Sequence, residues 1–422
     1  MNRRDALGRL ALAAGLGSLS PNGFGAEISA SSLKTVPLPR PEAKDYWPRL
    51  RREQFLLGPS RIFLNNGSVG VTPRPVLQAV VEGLETAAEY ATDDVYRWGY
   101  ETLETERTAL AGFLGCDLAE LGITHNCTEA MSFIANGLDL KPGDEVLITN
   151  QEHPGGHSCW RLHAARHGTV LREIEIPLTP KDPSEITSRL IDVINPKTRV
   201  LSFSGIATHT GLILPMREIC AAARAKGVIT VIDAAHAAGQ MPFNLHDIGC
   251  DYAAGSPHKW MFAPAGCGFI YGRSGALDEL WSTVANAGWE RRKGAGGARL
   301  MSVGTNNRAI VAGMVAGLKF IRDIGPERIQ RRTRELADQV LRQVEARSYL
   351  ELVTPRDSRF YHAMVSFHVR GKGVENALAE LKKQNVNMIG GARPRISCHI
   401  HTRSEDLDTF FDILDRTAGK AA

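Results

Sequence analysis

The sequence predicts an α/β protein with a mostly parallel sheet, followed by a smaller C-terminal α+β domain. From about residue 61 onward, short apolar segments alternate with longer amphipathic segments. Such alternation is typical of βαβ units, in which helices cover both faces of a parallel sheet. The chain has 422 residues, of which 43% are hydrophobic and 23% are charged, so it can bury two cores. We place the large domain at residues 31–305, with its N-terminal segment packing on the small domain, and the small domain at residues 306–422.

The individual elements follow from hydrophobic periodicity and from the residues that interrupt it. The predicted strands of the large domain are Glu145–Thr149, Arg199–Ser204, Val228–Asp233, Asp251–Ala254 and Cys267–Tyr271. The predicted helices of the same domain are Glu101–Phe113, Thr128–Gly137, His157–His167 and Met216–Lys226. The small domain is predicted to contain a helical stretch over Asn307–Arg347 with a break at Gly325-Pro326, strands Met364–Val369 and Arg395–His399, and a helix from Ser404.

The first 30 residues predict an export signal. The pair Arg3-Arg4 precedes the apolar run Leu10–Leu16, a pattern typical of twin-arginine signal peptides. The run is too short to span a bilayer, which needs roughly 20 apolar residues. We therefore expect cleavage near Ala26 or Ala30, passage through the twin-arginine export machinery and a periplasmic mature protein. An N-terminal helix of the fold is the alternative.

Charge and cysteine content exclude several function classes. The net charge is only +4, and no basic run occurs beyond the leader, which argues against nucleic acid or an anionic membrane as the main partner. The seven cysteines are scattered, without a C-x-x-C motif or zinc-ligand spacing. We therefore expect neither a disulfide framework nor a metal site.

Reactive side chains follow several predicted strands. In open α/β sheets, ligands bind at the carboxyl ends of the strands. His153, Asp233 and Lys259 each stand just past such an end. Lys259 lies in Ser256-Pro257-His258-Lys259-Trp260, beside an aromatic residue, where a lysine loses its proton more easily and can form a Schiff base with an aldehyde. A lysine in a surface turn is the ordinary alternative.

The other residues suggest what the aldehyde is. Asp233 ends a buried strand and needs a partner, which could be a pyridinium nitrogen, although it could also cap the next helix. The segment Thr124–Ala130 precedes a helix, so its hydroxyl, thiol and backbone N–H groups suit a phosphate, whether or not Thr128 is also an N-cap. His153 could lie on a cofactor ring, although a lone histidine is more often structural. Together these residues indicate pyridoxal 5'-phosphate (PLP).

The order of these motifs resembles that of class V aminotransferase-type PLP enzymes. The matching segments are Phe63–Ser68, Asp233–Ala237, Ser256–Trp260, Ser302–Asn306 and Arg395–Ser397. The isopenicillin N epimerase-like branch is similar in Phe63–Ser68 and in Thr210–Pro215. An exported family member that modifies the siderophore pyoverdine is also similar, in the leader and in His258–Phe262. The resemblance implies the type I PLP fold, with a seven-stranded, mostly parallel sheet, and a homodimer.

The resemblance also implies a role for each site residue. Lys259 would attach PLP and move a proton, Asp233 would bind the pyridine nitrogen, and His153 would stack on the ring. His236 stands where many relatives have a glutamine near the cofactor's 3-hydroxyl, and Thr208 stands where desulfurases have an asparagine. The remaining cofactor contacts would come from phosphate-binding residues, namely Cys127, Thr128, Ser256 and His258, with Thr305 from a second subunit. Arg395 would bind a substrate carboxylate, with Asn65 and Asn66 as further substrate contacts.

The function predicted from the sequence is chemistry at Cα of an amino acid, or of an amino-acid unit in a peptidic metabolite. We expect a transaminase-like or siderophore-tailoring activity. Cysteine desulfurases carry a nucleophilic cysteine shortly before the Arg-x-Ser motif, whereas residues 385–392 contain none, and Cys398 is expected to be a packing residue. Within the family, an amino-acid epimerase or a C–S lyase is the alternative. A non-catalytic binding protein with the PLP fold is the alternative from another class.

Overall fold

The computed structural model describes residues 36–91, 97–98, 102–286, 289–290, 293–371 and 373–419. The predicted leader, residues 1–30, lies outside these ranges. Within the part of the chain that the structure describes, no helix combines the length and the hydropathy that a membrane crossing requires.

The strands, in chain order, are β1 (Ile62–Phe63), β2 (Arg97–Trp98), β3 (Leu121–Thr124), β4 (Glu145–Thr149), β5 (Val170–Ile174), β6 (Thr198–Ser204), β7 (Ile229–Asp233), β8 (Tyr252–Gly255), β9 (Gly268–Gly272), β10 (Asn306–Asn307), β11 (Leu350–Leu352), β12 (Met364–Val369), β13 (Val386–Asn387) and β14 (Arg395–Ser397). The helices are α1 (Tyr46–Gln54), α2 (Arg74–Glu89), α3 (Glu104–Leu114), α4 (Cys127–Gly137), α5 (Pro154–His167), α6 (Pro183–Ile191), α7 (Met216–Ala225), α8 (Leu245–Ile248), α9 (Pro257–Trp260), α10 (Ala276–Glu279), α11 (Gly296–Leu300), α12 (Arg308–Ile324), α13 (Pro326–Glu345), α14 (Val374–Lys383) and α15 (Ser404–Thr417).

The central sheet has seven strands in the order β3-β9-β8-β7-β6-β4-β5. Strand β9 is antiparallel to both of its neighbours, and the other pairs are parallel. Strands β7, β8 and β9 are buried almost throughout, as expected for strands with helices on both faces. The predicted α/β class with a mostly parallel sheet is thus confirmed.

Every strand predicted for the large domain occurs, with its ends shifted by one residue at most. Two predicted helix starts were wrong by three residues. Helix α5 begins at Pro154 because His153 caps it and a proline suits the first helical turn. Helix α3 begins at Glu104, after a left-handed Leu103. The predicted strand Arg395–His399 ends at Ser397.

A second core lies in the C-terminal part of the chain. Strands β11, β12 and β14 form an antiparallel sheet, and helices α13, α14 and α15 contribute apolar side chains to the same core. Strand β1 pairs in parallel with β13, so the segment that begins at Ile62 packs on this C-terminal part. Helix α12, by contrast, contributes its apolar side chains to the core that surrounds the central sheet. The boundary between residues 305 and 306 stays a prediction.

The sheet register places the ends of three strands level with one another. Ser204 at the end of β6 pairs with Asp233 at the end of β7, and Asp233 pairs with Ala254 of β8. The loops that follow these strands therefore leave the sheet side by side and meet the loop that follows β4. This edge is where polar side chains from separate segments can converge.

Candidate active site

A cavity of about 460 Å³ lies at the carboxyl ends of the parallel strands. Its wall contains ten of the predicted site residues, namely Cys127, Thr128, His153, Thr208, Asp233, His236, Ser256, His258, Lys259 and Arg395. The structure therefore brings most of the predicted site together, although these residues span more than half of the sequence.

Lys259 enters the cavity from the short helix that follows β8. Its Nζ lies 3.3 Å from Nε2 of His236. Burial lowers the pKa of Lys259, while the nearby Asp233 carboxylate opposes that effect. The backbone of this loop is held in place, because the Asn66 side-chain amide donates to the Lys259 carbonyl at 2.8 Å and Gly70 N–H donates to the His258 carbonyl at 2.8 Å. Lys259 is thus a fixed amine with a weakened hold on its proton.

Asp233 is a buried carboxylate with 6% of its surface exposed. Its Oδ1 accepts hydrogen bonds from Ala235 N–H at 2.9 Å and from the Cys127 thiol at 3.3 Å. Burial raises the pKa of Cys127 well above its usual range, so this thiol stays protonated and donates. Among the described residues, Asp233 forms no ion pair at 4.0 Å or less. A buried carboxylate without a bonded cation is suited to a positively charged partner in the cavity.

Gly156 packs against the Asp233 carboxylate, where a larger residue would not fit. A Cβ at position 156 would lie 2.9 Å from Asp233 Oδ2, closer than an ordinary van der Waals contact. Helix α5 can therefore approach the end of β7 only with a glycine at this position. The sequence shows the glycine pair at 155 and 156 but not which side chain requires it.

An anion-binding wall stands at the start of helix α4. Asn126 caps this helix by accepting from Glu129 N–H at 2.9 Å, and the Cys127 N–H donates to the Ser256 hydroxyl at 3.1 Å. Thr128 and His258 complete the wall, and Nδ1 of His258 lies 3.2 Å from the Cys267 carbonyl. Helix N-termini attract phosphate through their free N–H groups and the helix dipole.

His153 lies on another wall of the cavity. Its Nδ1 accepts from Gly155 N–H at 3.0 Å, so Nε2 carries the proton of the neutral ring. Burial lowers the pKa of His153, and Lys259 lowers it further. The ring is therefore neutral, partly exposed and available to lie against a bound planar group.

Arg395 is a buried cation without a bonded anion. The side chain is 7% exposed and donates four hydrogen bonds to neutral oxygens: Thr208 O at 2.8 Å, Thr208 Oγ1 at 3.2 Å, Asn65 Oδ1 at 3.2 Å and Ser68 Oγ at 3.1 Å. Its Nε is buried without a hydrogen-bond partner in the part of the chain that the structure describes. Burial lowers the pKa of Arg395 to about 10.

Three predicted residues do not line the cavity. Asn65 is linked to it through the hydrogen bonds that its Oδ1 accepts from Arg395 and Ser68, and Asn66 is fully buried between the Lys259 carbonyl and His401. Thr305 is exposed on this chain. Asn66 thus holds the Lys259 loop, and a contribution of Thr305 to the site of a second subunit stays a prediction.

Several cavity residues were not predicted from the sequence. His209 and Arg393 line the cavity beside Arg395, and Ile389 and Gly390 line it from the same loop as Arg393. The only signal for Arg393 is its place two residues before the Arg-Ile-Ser motif. Glu152 lies beneath the cavity, where Ser204 donates to it at 2.6 Å, and burial raises the pKa of Glu152 to about 7.

Residues 62–408 match the family model described as Aminotransferase class-V. The chain belongs to this family. It is 33% identical to isopenicillin N epimerase of Streptomyces clavuligerus over 87% of this chain and 98% of that protein. It is 31% identical to isopenicillin N epimerase of Amycolatopsis lactamdurans, over 86% and 96% of the two chains.

Two solved structures share the fold. A cystine C-S lyase in complex with its reaction product, cysteine persulfide, superposes with a TM-score of 0.76 at 25% identity, over 88% of this chain and 99% of that one. A second structure of that lyase, with glycine covalently linked to the PLP cofactor, gives a TM-score of 0.77 at 24% identity, over 88% and 98%. These neighbours confirm the type I PLP fold, and the protein is a PLP-dependent class V enzyme.

The described residues fit PLP. Lys259 offers the amine for its aldehyde, the wall around Thr128 and Ser256 suits its phosphate, and Asp233 is a buried carboxylate free to pair with its ring nitrogen. When bound, PLP supplies an electron sink for negative charge that develops at Cα of an amine. The chain itself offers a buried amine, Lys259, and the positive charge of Arg395.

Proposed function

We propose that this enzyme removes the Cα proton of an amino acid, or of an amino-acid unit with a free amine and carboxylate in a peptidic metabolite, and that aminotransfer is the outcome. The observation that carries the proposal is the buried Arg395 without a bonded anion. Three contacts connect it to Lys259, through Thr208 Oγ1 at 3.2 Å, His236 Nε2 at 2.9 Å and Lys259 Nζ at 3.3 Å. A carboxylate bound by Arg395 brings its neighbouring Cα close to the lysine.

The charge of Arg395 favours breaking the Cα–H bond over losing the carboxylate as CO₂. A guanidinium stabilises a carboxylate as an anion, whereas decarboxylation converts it into a neutral gas. Lys259 would then be the base that takes the proton from Cα to its Nζ, and bound PLP would supply the sink for the electron pair. Proton removal at Cα is the step that aminotransfer and epimerisation share.

The thiols of the site do not favour persulfide chemistry. Residues 389–393 line the cavity with Ile389, Gly390 and Arg393, and no cysteine occurs in this loop. Cys127 lines the cavity, but it donates to Asp233 and its pKa is raised well above the usual range. A protonated thiol is a weak nucleophile. A C–S lyase that forms a protein-bound persulfide is therefore disfavoured.

The walls beside Arg395 suggest an acidic substrate. Arg393 is exposed at the cavity and forms no ion pair among the described residues. Burial lowers the pKa of the adjacent His209, and the positive charges of Arg393 and Arg395 lower it further. Asp233 is the one carboxylate among the cavity-lining residues that the structure describes. A substrate with a second acidic group, such as an acidic unit of a peptidic siderophore precursor, matches this surplus of positive charge.

Epimerisation is the second candidate function, and the two isopenicillin N epimerases at 33% and 31% identity favour it. The two outcomes differ only in where the proton returns. An epimerase returns it to the opposite face of Cα, whereas an aminotransferase delivers it elsewhere and releases a keto acid.

The test is to incubate the purified holoenzyme in D₂O with free amino acids and acidic peptides, each with and without a keto acid. Products are analysed by mass spectrometry and chiral chromatography, with Lys259→Ala as the control. A keto acid product that depends on the acceptor supports aminotransfer. A deuterated, inverted product without a keto acid identifies an epimerase, and a screen in which no substrate loses its Cα proton overturns the proposal.

We also propose that the enzyme is exported in folded form to the periplasm by the twin-arginine machinery. The support is the Arg3-Arg4 pair followed by the apolar run Leu10–Leu16. Cell fractionation of the full-length chain tests it, with a double substitution of Arg3 and Arg4 by lysine as the variant. Periplasmic wild type and a retained variant are expected, and equal distribution of the two contradicts export by this route.

A further inference from the structure

A chain of side-chain hydrogen bonds crosses the wall of the cavity. It begins at the Trp260 indole, which is buried and donates from Nε1 to Nδ1 of His236 at 3.3 Å. The opposite nitrogen, Nε2, lies 2.9 Å from Thr208 Oγ1. The same hydroxyl oxygen accepts from Nη1 of Arg395 at 3.2 Å.

The indole N–H fixes the direction of every bond in this chain. An indole nitrogen only donates, so Nδ1 of His236 must be the acceptor and carries no proton. A neutral imidazole then carries its proton on Nε2, which donates to Thr208. Thr208 Oγ1 therefore accepts two hydrogen bonds, one from His236 and one from Arg395. With both lone pairs of the oxygen occupied, the Thr208 hydroxyl has only its own proton left to offer.

The direction also bears on Lys259. Its Nζ lies 3.3 Å from the same Nε2, which cannot accept a proton because it already carries one. A protonated lysine would place its own N–H groups against this N–H, so the contact disfavours the ammonium form of Lys259. The lowered pKa of Lys259 agrees with this assignment. The tautomer of His236 thus favours the nucleophilic form of the lysine.

We propose that Thr208 is a positioning residue that donates its hydroxyl proton to an anionic oxygen in the cavity, and that Trp260 sets this polarity through His236. Thr208 lines the cavity, so the proton has an open direction in which to point. The acceptor is either the ring oxygen of the cofactor or a carboxylate oxygen of the substrate. The identity of that oxygen rests on the proposed function, whereas the direction of the chain rests on these contacts alone.

The first experiment determines the tautomer without any turnover. Holoenzyme with ¹⁵N-labelled histidine is compared with His236→Gln, so that the His236 signals are assigned by their loss. We expect an unprotonated Nδ1 and a protonated Nε2 in the wild type, and a loss of this preference in Trp260→Phe. A proton on Nδ1 in the wild type overturns the proposal.

The second experiment compares Thr208→Val, which keeps the shape but removes the hydroxyl, with Thr208→Ser, which retains it. The pH midpoint of the colour of the holoenzyme is measured without substrate, and the Kd of an unreactive carboxylate analogue is measured separately. The charged and titratable groups near His236, namely Lys259, Arg395, His153 and His209, are the same in both variants.

A donated hydrogen bond stabilises the anionic form of its acceptor. Its loss is therefore expected to raise the pH midpoint of the colour by about one unit, or to raise the Kd of the analogue about tenfold. A shift of the midpoint in Thr208→Val but not in Thr208→Ser places the acceptor on the cofactor. Weaker binding of the carboxylate analogue in Thr208→Val but not in Thr208→Ser places the acceptor on the substrate. Equal behaviour of the two variants in both measurements overturns the proposal, and neither measurement depends on which product the enzyme forms.

Discussion

Replacing Arg395 with lysine tests whether the guanidinium recognises a carboxylate. The substitution keeps the positive charge but replaces two forked nitrogens with a single ammonium. In the structure, Nη1 donates hydrogen bonds to Thr208, and Nη2 donates to Asn65 and Ser68. A single ammonium group cannot reach both sets of oxygens. A substrate carboxylate that takes the place of neutral oxygens at both Nη atoms would therefore lose one of two parallel charge-assisted bonds. Such a bond is worth about 1.5–3 kcal/mol, so kcat/KM is expected to fall roughly ten- to a hundredfold.

The assay compares kcat/KM for a carboxylate substrate with that for the amine that lacks the carboxylate, in wild type and in Arg395→Lys. Bound PLP is measured from the yellow absorbance in both proteins and is expected to be unchanged. Arg393→Lys is the matched control, because that arginine lies at the same cavity but is exposed. An equal loss on both substrates, or loss of the cofactor itself, would refute carboxylate recognition by Arg395.

Further predictions concern the lysine, the dimer and a surface ion pair. Borohydride reduction and peptide mapping should place the pyridoxyl group on Lys259, and its recovery on another lysine would contradict the assignment. If two subunits share each site, hybrids of Lys259→Ala with Thr305→Ala should regain activity after subunit exchange, whereas proven exchange without recovery argues for a self-contained site. The hydrogen bond that His246 Nε2 donates to the Glu120 carboxylate at 2.6 Å raises the pKa of His246 above 6.5, so the stabilisation from this pair is present below pH 6.5 and is lost as pH rises through the raised pKa. We expect Tm to fall across that range in the wild type and to fall less in His246→Gln, and parallel Tm profiles would rule out this contribution.

The sequence was most informative where local pattern and topology coincide. The strands before Asp233 and Lys259 are short and mainly apolar, and the rule that ligands bind at the carboxyl ends of strands placed both residues at the same edge of the sheet. Strands β3 and β5 were not predicted from the sequence, for two different reasons. β3 is short and is interrupted by Gly122, and β5 lies at the edge of the sheet, where exposed side chains break the apolar run.

The remaining site residues depend on contacts that no local pattern records. Arg393 reaches the cavity because the turn at Gly390 and Gly391, both with positive φ, directs its loop there. Asn66 belongs to a motif that the sequence marked for substrate binding, yet its side chain holds the Lys259 carbonyl. The direction of the bond between His236 and Thr208 depends on the Trp260 indole, whose position emerges only in three dimensions.

The pairing of β1 with β13 has a consequence for biosynthesis. Ile62 pairs with Val386, and Asn66 N–H donates to the Ser397 carbonyl, so the segment that carries Asn66 finds its partners only at the far end of the chain. A nascent polypeptide on the ribosome can complete the central sheet well before those residues are synthesised. The support for the Lys259 loop, and with it the finished cofactor site, is therefore assembled last. A C-terminal truncation from β13 onward, which also removes β14 and α15, should leave a chain that retains the central sheet but holds PLP poorly.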